Sequence, residues 1–345
     1  MSSPHITTLP ECQRGLPLVI SATNPSVDGL LDWMSERQEE LSRQLSEHGA
    51  ILFRGFDAAE PESFERVARA IAPELGKEYL GTSPRDSVRE HVFHASELPG
   101  YYPIPQHCEM TFTKTPPTRL FFGCAVAPRR HGETPLCDFR QMYEDLDPGV
   151  RERFESRGVR IIRNYGAPDE RGGLWQLKRW HEMFGTRDKD AVTAKAESEG
   201  FTVLWLGDKL RLTSQHPASR VHPETGRRAW FNHAQVFHLG AAAGEYRRIV
   251  ALRPSPKNLL WWGVAASFGA AQRLTQDPET LTLHCTYGDG QEIPRADMEA
   301  VRDAIWRNLV HIPWQRGDVV AIDNGAVAHG RLPYRGPREI LVCWS

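Results

Sequence analysis

The sequence predicts antiparallel strands folded into a sandwich or barrel, with helices packed outside it. Two observations carry this. After residue 85, short β-favouring runs follow one another, divided by Gly, Pro, Asn and Asp, with few helical stretches between them. That texture favours an antiparallel β core over a βαβ repeat. In addition, no internal repeat and no Ser/Gly-rich linker divides the 345 residues, so 1–345 reads as a single domain.

The elements follow in order. The opening 25 residues alternate short apolar runs with Pro and Gly, which suits an edge strand and loops. Apolar positions 27, 30, 31, 34, 41 and 45, with charges between them, predict one amphipathic surface helix ended by Gly49. AILFRGF (50–56) is a buried strand, and PESFERVARAIAPEL (61–75) a helix opening on Pro61 with Phe64, Val67, Ala68 and Ile71 on one face. Strands are predicted at 119–128, 159–165, 201–207, 210–214, 228–237, 318–323 and 338–344. Segments 171–200 and 240–315 are more polar or more helical and read as insertions beside the β core, near the mouth of a site.

Composition excludes several classes. With 40% hydrophobic and 25% charged residues and a net charge of −2, the chain has no basic field for nucleic acid. The N-terminus lacks a basic segment followed by a long apolar one, and NLLWWGVAASFGAA (258–271) is too short and too Gly-interrupted to span a membrane. Six cysteines at 12, 108, 124, 137, 285 and 343 show no CxxC or zinc-finger spacing, which suits reduced thiols in a cytoplasmic protein. There is no GxSxG elbow, phosphate loop or GxGxxG.

PQHCEMTFTK (105–114) holds His107 and Glu109 two positions apart, on one face if the chain is extended, with Cys108 pointing away. Alone, the pair reads as an exposed polar strand face. Far downstream, GDVVAIDNGAVAHGRLPYRGPREILVCW (317–344) supplies His329 after an aliphatic strand. Two histidines and a carboxylate form the facial set of non-haem Fe(II) oxygenases, and the same types also hold zinc. Residue types leave the metal open.

The wider motifs are TSPRDSV (82–88), QHCEMTFTKTPPTRLFF (106–122), GETPLCDFRQMYEDLDP (132–148), RNYG (163–166), HPETGRRAWFNHAQVFH (222–238), TYGDGQEIP (286–294) and DNGAVAHGRLPYRGPREILV (323–342). In this order they resemble the taurine dioxygenase and TfdA-like superfamily of Fe(II)/2-oxoglutarate-dependent oxygenases, over roughly residues 50–345. Within it they are most similar to the syringomycin-aspartate-hydroxylase-like and clavaminate-synthase-like hydroxylases of amino acids and natural-product intermediates. The resemblance implies a mainly β fold with flanking helices, the clavaminate synthase-like double-stranded β-helix (jelly-roll). It also implies Fe(II) as cofactor and 2-oxoglutarate and O2 as cosubstrates.

By the same resemblance, His107, Glu109 and His329 match the iron ligands. Arg338, nine residues after the distal His, matches the clamp on the remote carboxylate of 2-oxoglutarate, and Thr134 the hydroxyl that shares it. The chemistry is apt: a guanidinium is a planar fork for a carboxylate, and a hydroxyl serves a remaining lone pair. Arg331 and Arg335 are the next candidates for the clamp. Asn232 matches a typical family Asn that either contacts the cosubstrate or orders a loop.

Departures from the pattern are informative. Cys108 replaces the usual Asn or Thr, a change in packing behind the iron. Glu109 stands where halogenase relatives carry Ala, which argues against halogenation, and Glu in place of Asp resembles the clavaminate synthase branch. Val342 stands where taurine-oxidising relatives carry an anion-binding Arg, so a sulfonate substrate is disfavoured.

Arg85, His91, His94 and Arg163 are the candidate substrate contacts, each weighed against a structural role. Trp175 and Gln176 are candidates for the entrance, His233 and His238 read as polar core or surface residues, and GDGQ (288–291) as a turn. The expected activity is hydroxylation of an unactivated C–H of an amino-acid-derived small molecule, free or carrier-protein-bound, with release of succinate and CO2. Desaturation or cyclisation uses the same chemistry. Other readings are a non-catalytic metal-binding β-sandwich and a zinc hydrolase, neither of which would need Arg338 and Thr134. A homo-oligomer is left open.

Overall fold

A computed structural model describes residues 4–79, 81, 85–96, 98–170 and 179–345. Among these are eleven α-helices and nineteen strands. The fold is thus mixed α and β, and the expectation of a mainly β chain understates the helices.

The framework is a seven-stranded sheet, in the order His5–Thr7, Leu18–Ser21, Ala50–Arg54, Val319–Asp323, Arg119–Val126, Glu339–Trp344, Phe93–His94. Every pair is antiparallel except Leu18–Ser21 against Ala50–Arg54. Side chains alternate across it as a pleat requires. Along Arg119–Val126, Leu120, Phe122 and Cys124 face one core, while Phe121 faces a second core with Phe53, Phe64 and Val67. Three helices cover that second face: Val27–Ser35, Gln38–His48 and Pro61–Ile71.

The single amphipathic helix expected over 27–45 is two. Arg37 leaves helical geometry at φ −132°, and its guanidinium reaches the Trp33 carbonyl at 3.3 Å. Gly49 ends the second helix in the left-handed region at φ +78°, where a side chain would strain the backbone.

A four-stranded sheet lies on the other core, in the order Leu309–Val310, Leu136–Asp138, Val327–Arg331, Ile104–His107. The chain passes between the two sheets in one tight connection. Val319–Asp323 belongs to the large sheet, and Val327–Arg331, three residues later, to the small one. A further four-stranded sheet, ordered Thr202–Leu206, Lys209–His216, Val159–Tyr165, Leu283–Tyr287, completes the main architecture.

Two departures have local causes. The strand expected over 228–237 stops at Trp230, because Asn232 Oδ1 accepts the Ala234 N–H at 2.9 Å and starts the helix Ala234–Phe237. Helices Phe139–Glu144 and Pro148–Arg157 were not expected, although Asp138 and Asp147 cap them and Pro148 opens the second. Region 240–315 is largely helical, as Ala241–Leu252, Pro256–Thr275 and Arg295–Arg307. The twenty-residue helix Pro256–Thr275 buries none of its residues and exposes Leu259, Leu260, Val264 and Phe268. No helix among the described residues is long and apolar enough to cross a membrane.

Candidate active site

Strand pairing brings the distant histidine to the first motif. His329 and His107 are direct partners across the antiparallel pair Val327–Arg331 and Ile104–His107, with ring centroids 4.5 Å apart. Glu109 does not continue the strand, as an extended 105–114 would require. It lies in the turn that follows, ahead of Met110 at φ +51°. The turn still brings its carboxylate to the imidazoles: one ligand atom each from His107, Glu109 and His329 lie within 4.8 Å of one another. Glu109 Oε2 is 3.8 Å from His329 Nε2.

The donor set fits a metal. His107 Nδ1 is 2.8 Å from the Pro105 carbonyl, which can only accept, so this nitrogen carries the proton and Nε2 keeps its lone pair. Burial holds His107 below the usual imidazole range and, reinforced by His107 and Arg85, holds His329 well below it, so both rings are neutral ligands. Burial raises the Glu109 carboxyl, but the Arg85 guanidinium and the histidines outweigh it, and the net shift is downward to a ready anion. Cys108 packs in the core behind them, its thiol pushed up by burial.

The same cavity holds Arg338 and Thr134. Arg338 Nε donates to the Gly132 carbonyl at 3.0 Å, and Nη2 to Thr134 Oγ1 at 3.2 Å. Both acceptors are neutral, and among the described residues no carboxylate stands within 4.0 Å of the guanidinium. Burial, with Arg331 nearby, lowers its pKa to about 10, the mark of a cation short of an anion. Thr134 Oγ1 also accepts from Trp314 Nε1 at 3.1 Å, so its own proton remains to be donated. Arg331 commits Nη1 and Nη2 to the carbonyls of Leu98, Pro99 and Tyr102, and Arg335 is exposed.

The other expected residues scatter. Arg85 lines the cavity, with Nη2 2.6 Å from Glu109 Oε2. His91 and His94 do not line it: His91 Nδ1 faces the Gly76 carbonyl at 3.3 Å, and His94 sits on the sheet edge 3.9 Å from Glu339. Arg163 is buried behind the cavity wall, 4.2 Å from the Phe112 ring and 4.7 Å from that of Phe201. Asn232 is also off the lining. Its amide donates to the Ala218 carbonyl at 2.7 Å and accepts from Ala234, which is the loop-ordering contact. Trp175 and Gln176 lie outside the described residues.

Three residues escaped sequence reasoning. His233 lines the cavity, its Nδ1 2.6 Å from Thr111 Oγ1 and its ring 5.3 Å from that of His107. Tyr79 sets its ring 4.1 Å from the Arg85 guanidinium, with its hydroxyl 3.5 Å from Glu109 Oε1. Asn324, in the connection between sheets, grips the Glu109 peptide from both sides. Its Oδ1 accepts the Glu109 N–H at 2.6 Å, and its Nδ2 donates to the Glu109 carbonyl at 3.0 Å and to that of Pro117 at 2.8 Å. The pairing Asp323-Asn324 just ahead of His329 was the available signal.

Asn324→Ala leaves both groups of a buried peptide unpaired, at about 1–3 kcal/mol each. Supports of this kind typically change metal affinity about 10–100-fold. The expected result is a loss of that size in Fe(II) affinity by anaerobic titration, with the 2-oxoglutarate dependence at saturating iron little changed. Wild-type iron affinity in a folded Asn324→Ala protein would remove Asn324 from the site.

Two imidazoles and one carboxylate, with a half-buried guanidinium and a buried hydroxyl beside them, fit a mononuclear non-haem iron centre. Comparison with known proteins agrees. The model of the taurine catabolism dioxygenase TauD, TfdA family matches residues 13–344. The dapdiamide synthesis protein DdaC of Enterobacter agglomerans is 29% identical over 329 residues, covering 95% of this chain and 91% of that protein. A clavaminate synthase-like protein of Arabidopsis thaliana is 29% identical over 306 residues, covering 87% and 82%. Among solved structures, a taurine dioxygenase from Burkholderia xenovorans superposes with a TM-score of 0.52 at 14% identity, covering 99% of this chain and 89% of that one. The PvcB protein of Pseudomonas aeruginosa gives 0.53 at 13%, covering 99% and 90%. The chain belongs to the TauD/TfdA family, and it is an Fe(II)/2-oxoglutarate-dependent oxygenase acting on a small molecule.

Proposed function

We propose that the enzyme hydroxylates an unactivated C–H of an amino acid or amino-acid-derived natural-product intermediate, free or carrier-bound, with release of succinate and CO2. Desaturation or cyclisation of such a substrate is the variant outcome of the same chemistry. The observation that carries the cosubstrate half is Arg338, a half-buried guanidinium with no carboxylate partner among the described residues, beside Thr134 and in one cavity with the triad. The substrate half draws support from relatives named for dapdiamide synthesis and for likeness to clavaminate synthase, and from Val342, buried in the core where it offers no anion site. These also support placing the chain in the clavaminate-synthase-like and syringomycin-hydroxylase-like branch.

In this reading His107, Glu109 and His329 would hold Fe(II). Arg338 and Thr134 fix the remote carboxylate of 2-oxoglutarate. The bound iron, with 2-oxoglutarate and O2, supplies the oxidising power, and oxidative decarboxylation of the cosubstrate accompanies oxidation of the substrate. The chain's own part is placement and exclusion. Phe112, Phe122, Val236 and Phe237 line the cavity and keep water from the reacting groups.

The two sheets that face one core, joined through 324–326, support a double-stranded β-helix, and the chain is read as one domain, 1–345. Segments 171–200 and 240–315 serve as mouth insertions, 171–178 lying outside the described residues. Trp261 of the second stacks on Tyr101 at 4.5 Å, in the loop whose carbonyls Arg331 holds. The exposed apolar face of Pro256–Thr275 supports a homo-oligomer, and the free cysteines a reducing, cytoplasmic setting.

Anaerobic titration with Fe(II) and then 2-oxoglutarate tests the reading. A weak visible charge-transfer band is expected on adding the cosubstrate. A protein that binds metal at the triad but shows no change with 2-oxoglutarate would be a zinc-type hydrolase or a binding module.

A further inference from the structure

Arg85 enters the cavity with its side chain only 5% exposed. Nη2 donates to Glu109 Oε2 at 2.6 Å, while among the described residues Nε and Nη1 are buried with no hydrogen-bond partner. The guanidinium lies 4.1 Å from the ring centre of Tyr79 and 5.6 Å from that of Trp344, so two aromatic rings fix its place. A buried N–H left unpaired costs about 1–3 kcal/mol, and two on one cation are a strong demand for an acceptor.

Charge points the same way. Arg85, Arg331 and Arg338 line the cavity, and Glu109 is the one carboxylate among its described lining residues. Iron(II) and the 2-oxoglutarate dianion cancel one another, so a loaded cavity keeps a surplus of positive charge. Arg338 is assigned to the cosubstrate, and Arg331 is bound to three backbone carbonyls. Arg85 meets Glu109 through Nη2 alone, which leaves Nε and Nη1 as the two arms open to an acceptor. With one N–H of Nη2 on Glu109, its other N–H and the idle arm beside it form one open fork, the geometry that grips a carboxylate by two parallel bonds.

We infer that Arg85 is the receptor for a carboxylate of the substrate, so that the enzyme takes an anionic amino-acid-type compound by that group; this rests on the oxygenase reading above. The guanidinium also touches the Glu109 ligand, and one side chain thereby ties the substrate's anchor to the metal site.

The test is calorimetric binding to anaerobic enzyme loaded with Fe(II) and 2-oxoglutarate. The probes are free L-amino acids, their N-acetyl derivatives, the matching C-terminal carboxamides, taurine and hexyl sulfate. Carboxylates are expected to bind best, and carboxamides about 10–100-fold more weakly, the weight of a charge-assisted hydrogen bond. In Arg85→Gln the gap between acid and carboxamide should collapse, and Arg85→Lys should keep part of it. The inference is overturned if carboxamides, taurine or hexyl sulfate match or exceed the acids, if no carboxylate binds, or if the gap survives Arg85→Gln. A missing charge-transfer band with 2-oxoglutarate would instead sink the oxygenase reading itself, which keeps the two failures apart.

Discussion

His107→Ala, Glu109→Ala and His329→Ala each abolish substrate-coupled succinate release while leaving the chain folded. Among the described residues these three are the group that could hold the metal, so losing one weakens binding and opens the geometry that orders the other partners. The fold does not depend on any of them in the same degree. His329 Nδ1 has no hydrogen-bond partner, and Glu109 is held through its peptide by Asn324, which the substitution leaves in place. Glu109→Ala does leave Arg85 without its anion, so it is the variant expected to lose most stability. Succinate release under limiting iron, with circular dichroism as the check on folding, decides the matter. Near wild-type turnover in any folded variant would displace that residue from the metal.

Arg338→Ala raises the apparent KM for 2-oxoglutarate by about 10–100-fold, from the loss of charge-assisted hydrogen bonds worth about 1.5–3 kcal/mol. Arg338→Lys recovers only part, because an ammonium keeps the charge and lacks the planar fork. Thermal stability provides an independent check. Arg338 bonds only neutral oxygens and no carboxylate, so its removal breaks no ion pair within the protein, and the unfolding temperature should move little. Unchanged cosubstrate dependence in Arg338→Ala would place the clamp elsewhere. Arg331 and Arg335 are poor substitutes, the first bound to a loop and the second exposed.

Much of the site was legible because its residues stand in motifs that resemble a known family; residue types alone left the pair His107 and Glu109 as a polar strand face. A His and a Glu two positions apart, a second His on an aliphatic strand and an Arg nine residues on are all visible without coordinates. The strands 119–126 and 159–165 were equally plain, being long and β-branched or aromatic. What escaped depends on which way a side chain turns. Asn232 and Asn324 are both buried amides next to motifs, and only the fold shows that one orders the turn from Ala218 to Ala234 while the other clasps a metal ligand's peptide. His233 differs from His238 in nothing local, yet one lines the cavity and the other faces the Ile293 carbonyl. Helix Pro256–Thr275 hid for another reason. None of its residues is fully buried: Trp261 is half-buried against Tyr101 while Leu259, Leu260, Val264 and Phe268 are exposed, so its apolar residues mark no single packed face.

The direct pairing of His107 with His329 makes strand alignment a condition of catalysis. Side chains alternate along a strand, so a slip of one residue between Ile104–His107 and Val327–Arg331 would turn one imidazole to the opposite face. A misaligned chain would then be metal-free and silent; it would not be a weak or promiscuous oxidant. Strand register and metal affinity are thereby one property of the chain: the three ligand atoms meet where these two strands are aligned.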